Sequence, residues 1–137
     1  MPHPPGYPIF VLLGRLFHAC VPVGSAAFHA ALPAALAGGL ATGLLHRSAI
    51  RLGAGGFGAL CGAFSLGFST HFWRYATVAE VFTLAAFCAA LLIWVATEIR
   101  LGRTGWQPAL ALGLVFAVGL GSHHHVALLA PLGAWAL

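Results

Sequence analysis

Long apolar stretches joined by short loops limit the folds that this chain can adopt. Apolar residues make up 61% of its 137 positions and charged residues only 6%. A soluble domain carries about a quarter charged residues, because its surface must face water. Six arginines and two glutamates, with no lysine or aspartate, cannot cover a water-exposed surface of this size. We therefore expect an integral membrane protein built from helices.

The apolar runs predict an all-α transmembrane bundle with about four full spans. A helix needs about 20 apolar residues to cross a bilayer, and the predicted spans are 25–46, 53–70, 81–97 and 108–121. A truncated fifth span begins at Val126. The shorter run 9–21 carries Arg15 and His18 one turn apart, which is typical of a helix that lies in the membrane interface.

A single transmembrane domain over residues 1–137 follows from this pattern. We expect an outer loop and the interfacial helix at 1–24 and the spans at 25–137, in a fragment of a larger protein. Small residues recur four positions apart in three spans, which predicts packing faces. These sets are Ala31, Ala35, Gly39 and Gly43; Gly55, Ala59, Ala63 and Gly67; and Ala109, Gly113, Ala117 and Gly121.

The arginines predict the orientation of the bundle. The loops at 47–51 and 98–106 hold four of the six arginines and fall on one side by alternation. That side should be cytoplasmic, so the loops at 71–79 and 122–125 should face outward. We expect a multi-pass protein of a plasma membrane, with a bacterial inner membrane favoured, whose active face is periplasmic or extracellular.

The outward segments gather the side chains that can perform acid–base or phosphate chemistry. Glu80 is the outer carboxylate and a candidate general base, although a helix N-terminal charge is its simpler reading. Arg74 breaks the positive-inside pattern, and it either clamps a substrate phosphate or contacts lipid phosphates. The remaining candidates for substrate binding are His3, Tyr7, His71, His123 and His124.

The run of three histidines at 123–125 raises the question of a metal. Successive residues on a helix point about 100° apart, and in an extended loop only His123 and His125 would share a side. We therefore assign no metal ligand here and favour hydrogen bonding to a phosphate or polar substrate, with a divalent ion left open as a cofactor. We expect no nucleic-acid partner, because the arginines form no basic patch.

Three segments resemble the signatures of one family of polytopic membrane proteins. They are His-Pro-Pro-Gly-Tyr-Pro from His3, Phe-Trp-Arg-Tyr-Ala-Thr-Val-Ala-Glu-Val-Phe from Phe72, and Gly-Leu-Gly-Ser-His-His from Gly119. They occur in the family's order and together span almost the whole chain. The family is catalogued as a domain of unknown function, and its animal relatives are transmembrane protein O-mannosyltransferases.

The resemblance implies a glycosyltransferase of the multi-spanning C-type fold. Such an enzyme transfers a sugar, here mannose by analogy, from a polyprenyl-phosphate donor to a hydroxyl of an acceptor protein or glycan at the outer membrane face. By the same analogy a carboxylate deprotonates the acceptor, while Arg74 and the histidines neutralise the departing phosphate. His3 and Tyr7 would line the pocket near the donor.

Departures from the family pattern affect the expected base. The family usually carries an acidic motif directly before the segment that begins at His3, and this chain starts after it. We therefore expect the main base of the full-length enzyme to lie upstream, with Glu80 as its helper, and the fragment alone to be inactive. Phe82 stands where tyrosine is common, and Ser122 where asparagine is common.

Two other functional classes remain open at this point. A transporter or permease places polar residues near the bilayer midplane, often beside broken helices, and here His29 and Pro33 are the residues of that kind. A non-catalytic membrane subunit would use the outer loops for assembly alone. The concentration of polar residues on one side favours the transferase over the transporter, and alanine substitutions across the outer loops that affect assembly alone would favour the non-catalytic subunit.

Overall fold

The structure is a computed structural model that describes residues 7–102 and 105–136. Within these residues all regular secondary structure is helical. The elements in chain order are α1 (Pro8–Cys20), α2 (Ala26–Arg51), α3 (Gly56–Gly67), α4 (Thr70–Thr77), α5 (Phe82–Arg100), α6 (Trp106–Ser122), a 3-10 helix (His124–Leu129) and α7 (Pro131–Ala136). The prediction of an all-α fold is confirmed for the described part of the chain.

Two of these helices are long and apolar enough to cross a membrane. They are α2, with 26 residues, and α5, with 19 residues. Helices α3 and α6 are apolar but contain 12 and 17 residues, so that their crossing stays a prediction. Helix α1 occupies the predicted interfacial segment, and the α-helical part of the last apolar run starts at Pro131 rather than Val126.

Helices α2 and α5 lie side by side and run in the same direction. Near the start of α5, a Cβ atom on Gly38 would lie 3.6 Å from the Thr83 methyl group. Near the ends of both helices, Arg51 donates to the buried Glu98 carboxylate through Nε at 2.7 Å and through Nη2 at 3.3 Å. This two-pronged ion pair fixes the relative register of the two helices.

The basic segments at the ends of α2 and α5 therefore lie at the same end of the bundle, as the sequence predicts. A second contact supports this, because the Arg47 guanidinium carbon lies 5.0 Å from the centre of the Trp94 ring. A cation over an aromatic face is attracted by the ring quadrupole. The cytoplasmic assignment of this end remains a prediction.

Two further helices flank this pair in the opposite direction. Helix α3 packs beside α2, where a Cβ on Gly67 would lie 3.2 Å from the Thr42 methyl group. Helix α6 packs beside α5, where a Cβ on Gly119 would lie 3.3 Å from Cys88 Cβ. Small residues at these crossings let the helix backbones approach closely, which is the usual basis of helix packing in lipid.

The segment 71–79 is mostly helical, so its prediction as a loop is wrong, whereas its outward orientation stays a prediction. Helix α4 forms because Phe72 and Ala76, four residues apart, share one face that packs on Gly38 of α2. His71 and Arg74 lie on the exposed part of the helix. The short helix thus buries its small apolar face and presents its polar residues outward.

The predicted packing stripes are only partly correct. On α2 the buried alanines and glycine are Ala34, Ala37, Gly38 and Ala41, whereas Ala35 and Gly39 are exposed. On α3 the stripe is confirmed at Ala59, which is buried, and at Gly67. On α6 the close approach is at Gly119 and Gly121, while Ala109, Gly113 and Ala117 are exposed. In helices this rich in alanine and glycine, adjacent faces offer nearly the same small-residue pattern.

The first prediction concerns this packing face. Gly38→Val should lower the free energy of unfolding by about 1–3 kcal/mol, because the new side chain is forced against Ala76 and Phe72. Thermal unfolding of the purified protein in detergent micelles measures the change. Gly39→Val is the matched control and should stay within about 0.5 kcal/mol of the parent, since nothing lies within 4 Å of a Cβ there. Equal losses in both variants would contradict the assigned face.

Candidate functional site

A groove of about 910 Å³ lies between α1, the start of α2 and the segment that leads into α5. Its volume is in the range of small-molecule sites in proteins. Apolar residues such as Phe10 and Val11 form part of its wall. The polar side chains that line it are Tyr7, Arg15, His18, His29 and Glu80.

The turn between α1 and α2 places one side of this groove. Gly24 has a φ of +111°, a conformation that favours glycine, and a Cβ there would overlap the Phe28 ring. Ser25 then caps α2, because its Oγ accepts a hydrogen bond from the Phe28 backbone N–H at 3.2 Å. The turn brings the end of α1 against the first turns of α2.

His18 of α1 and His29 of α2 meet across this turn. Their Nδ1 atoms are 3.0 Å apart, and His29 Nε2 donates to the Val23 carbonyl at 3.0 Å. Since a carbonyl only accepts, the proton of neutral His29 sits on Nε2, and its Nδ1 accepts from His18 Nδ1–H. In this neutral pair, Nε2 of His18 keeps its lone pair. The pair therefore presents a proton acceptor on the exposed ring.

Glu80 lies in the short connection between α4 and α5. Its backbone N–H donates to the Val78 carbonyl at 2.8 Å, and α5 begins two residues later at Phe82. The side chain is exposed at the groove. Within residues 7–102 and 105–136 its carboxylate has no hydrogen bond or ion pair, so that it is available to a molecule in the groove.

The three consecutive histidines converge, contrary to the geometric expectation. His123, His124 and His125 each offer a ring nitrogen, and these nitrogens all lie within 4.8 Å of one another. The reason is a change of backbone at His123, which is extended at φ −163° and ψ 132° before the 3-10 helix begins. The His125 backbone N–H donates to His123 Nδ1 at 3.3 Å and helps to hold the turn.

The histidine cluster, residues His123 to His125, is connected to the groove through aromatic rings. His123 is buried and stacks on Tyr7, with ring centres 5.7 Å apart and planes inclined by 9°. Its ring centre also lies 5.3 Å from that of Phe82. Burial, together with the charges of His125 and His124, lowers the pKa of His123 below its ordinary value. The His123 ring is therefore neutral at neutral pH.

The sequence matches a described family over its whole length. The family is the N-terminal domain of protein O-mannosyl-transferase TMEM260, whose sequence model matches residues 1–137. The chain belongs to this family. The resemblance drawn from its three segments is thereby confirmed.

A curated relative supports the same assignment. Protein O-mannosyl-transferase TMEM260 of Mus musculus is 37% identical over 91 residues, which cover 66% of this chain and 13% of the mouse protein. The chain thus aligns with only a small part of the length of that relative. No solved structure matches it. Together with its two long apolar helices, the family supports a membrane location for this chain.

The structure of the TMEM260-family domain brings together some of the sequence-predicted site residues. Tyr7 and Glu80 line the groove, and His123, with its neighbour His124, lies directly behind Tyr7. His71 and Arg74 are exposed on α4 and do not line the groove. His3 lies outside the described residues.

Sequence reasoning missed three polar residues of the groove. Helical spacing correctly places Arg15 and His18 on one face of α1, but as interface residues, and the sequence points to His29 only under the transporter alternative. The available signal was a titratable side chain in the first turns of a membrane helix, which often marks a functional site. His29 stands four residues after the Ser25 cap, at such a position.

The second prediction tests the histidine pair of this TMEM260-family domain. Phenylalanine at His18 and His29, singly and together, should reveal a coupling of about 0.5–1.5 kcal/mol in a double-mutant cycle of unfolding. The reason is that each single change removes the same hydrogen bond. His46→Phe, at the far end of α2, combined with His18→Phe is the control and should be additive. Additivity in both cycles would contradict the pairing.

Proposed function

We propose that the full-length protein is a membrane mannosyltransferase with the C-type architecture. It transfers mannose from a polyprenyl-phosphate donor to a hydroxyl of an acceptor protein or glycan. The observation that carries the proposal is the groove, which combines an apolar wall, a guanidinium and a carboxylate that has no ion pair within the described residues. The family supports it, because the mouse relative is described as a protein O-mannosyl-transferase.

The proposed donor is amphipathic, and the groove has matching parts. Its prenyl chain lies along the apolar wall that Phe10 and Val11 contribute. The guanidinium of Arg15 holds the phosphate, since its planar set of donors fits phosphate oxygens. His18, one turn along the same face of α1, lies beside Arg15, where the Nε2 lone pair of the neutral histidine pair accepts a hydrogen bond from a hydroxyl of the sugar.

The proposed reaction uses Glu80 on the acceptor side. The acceptor hydroxyl oxygen attacks the anomeric carbon of mannose, and the bond from that carbon to the phosphate oxygen breaks. The electron pair of the broken bond stays on the polyprenyl phosphate, where Arg15 stabilises the charge. The hydroxyl proton passes to the Glu80 carboxylate, which we propose as general base in place of the upstream carboxylate that the resemblance implied, because Glu80 lines the groove. Tyr7 contacts the sugar, and His123 and His124 support that wall of the pocket.

The position of the groove supports catalysis at the outer membrane face. The groove is formed by the N-terminal ends of α2 and α5, whereas the Arg51–Glu98 ion pair joins their C-terminal ends. Basic residues favour the cytoplasmic side, so the groove end is proposed to face the exterior or a lumen. A donor presented in that leaflet then enters from the side of the bundle.

The third prediction concerns the carboxylate. Glu80→Gln in the full-length protein should lower kcat by about 100-fold or more, because the amide cannot accept the hydroxyl proton. Transfer of mannose from polyprenyl-phosphate mannose to an acceptor protein measures the effect. Glu80→Asp is the control and should retain more activity than Glu80→Gln. Full activity of Glu80→Gln would assign the base to another carboxylate and remove Glu80 from the reaction.

The fourth prediction separates the two outer arginines. Arg15→Ala should lower transfer by about 100-fold, as expected for the loss of one charge-stabilising donor. Arg74→Ala should have a much smaller effect, because Arg74 does not line the groove. The same assay, with expression and thermal stability measured for each variant, makes the comparison. The opposite order would place the phosphate at the surface of α4, where the sequence first suggested it.

A further inference from the structure

The proposed reaction does not explain why the three rings of the histidine cluster converge. Its three ring centres lie 4.3–4.6 Å from one another, and the ring nitrogens converge to within 4.8 Å. Imidazoles at such distances bring several lone pairs to one point. Cations with a preference for nitrogen ligands are the chemical class that uses this arrangement.

We propose that His123, His124 and His125 bind a divalent transition-metal ion of the zinc class. Three histidines with an open fourth position form a familiar zinc site. Tetrahedral Zn–N bonds place ligand nitrogens about 3.4 Å apart, so the cluster must contract by up to about 1.5 Å. The exposed rings of His124 and His125 can rotate to achieve this.

The surroundings of His123 favour a built site over three independent surface side chains. His123 is 4% exposed and is held by Tyr7 and Phe82, so one of the three ligands is already immobilised. Its hydrogen bond from the His125 backbone is long, at 3.3 Å, and an ion can replace it at little cost. The remaining two ligands follow directly along the same turn, so the chain between the ligands does not have to be ordered on binding.

The site lies beside the groove, because Tyr7 and Phe82 line the groove and their rings also contact His123. Its fourth coordination position is open to water or to a phosphate oxygen. A role of the bound ion in holding the donor phosphate rests on the proposed function, whereas the binding of the ion itself does not. The two parts can therefore be tested separately.

The test uses the full-length protein purified without a polyhistidine tag. Titration with Zn²⁺ by calorimetry, and with Co²⁺ by visible absorption, should give one tight site per chain with the band intensity of a tetrahedral ion. His124→Gln and His125→Gln should each weaken binding by about tenfold or more, since even changes in the outer shell of a metal site cost 10–100-fold. Both positions are exposed, so folding should be unaffected.

His46→Gln is the matched control, because it removes one histidine at the other end of α2 and should leave the affinity unchanged. Binding that is as tight in His124→Gln and His125→Gln as in the parent would overturn the site. Loss of Zn²⁺ binding in His46→Gln, with binding retained in His124→Gln and His125→Gln, would also overturn the site. Glu80→Gln should still bind the ion. A protein that binds Zn²⁺ at the cluster but transfers no sugar would support this inference and contradict the proposed function.

Discussion

Helices α2 and α5 lie in contact along most of their length and run in the same direction, and this contact determines where the other elements can lie. Parallel neighbours cannot be joined by a tight turn, so the chain between them must return along the bundle, which α3 and α4 accomplish. The close approach at Gly38 allows the pair to pack, and the Arg51–Glu98 ion pair sets its register. Both N-terminal ends then meet at the same end of the molecule.

That meeting point explains why polar residues from distant parts of the sequence gather there. The turn at Gly24 brings α1 back onto α2, while α6 runs antiparallel to α5 and delivers the histidine cluster to the same end. Tyr7 and Phe82 line the groove and also contact His123 of the cluster. A proposed phosphate site and a proposed metal site thus become neighbours through topology, although their residues are separated by more than a hundred positions.

The apolar composition is sufficient to predict an all-helical chain, and helical spacing correctly places Arg15 and His18 on one face. Residue spacing is insufficient to predict α4, because polar neighbours obscure the four-residue spacing of Phe72 and Ala76. The sequence does not decide which face of α2 packs, because small residues also recur four positions apart at 34 and 38 and at 37 and 41. The histidine cluster and the His18–His29 pair depend on backbone turns, which residue spacing alone does not reveal. These contacts depend on the three-dimensional fold, whereas the family match shows only that the chain is related to the TMEM260 proteins.

The ion pair and the Arg47–Trp94 contact join α2 to α5 through charged groups at the basic end, whereas the close approach of Gly38 to Thr83 lies near the start of α5. Glu98 lies about 22 Å along α5 from Thr83, at a rise of about 1.5 Å per residue. Each degree of change in the angle between the helices shifts the far end by about 0.4 Å on this geometry. The width of the groove at the far end therefore depends on the angle at which the Arg51–Glu98 pair holds the two helices.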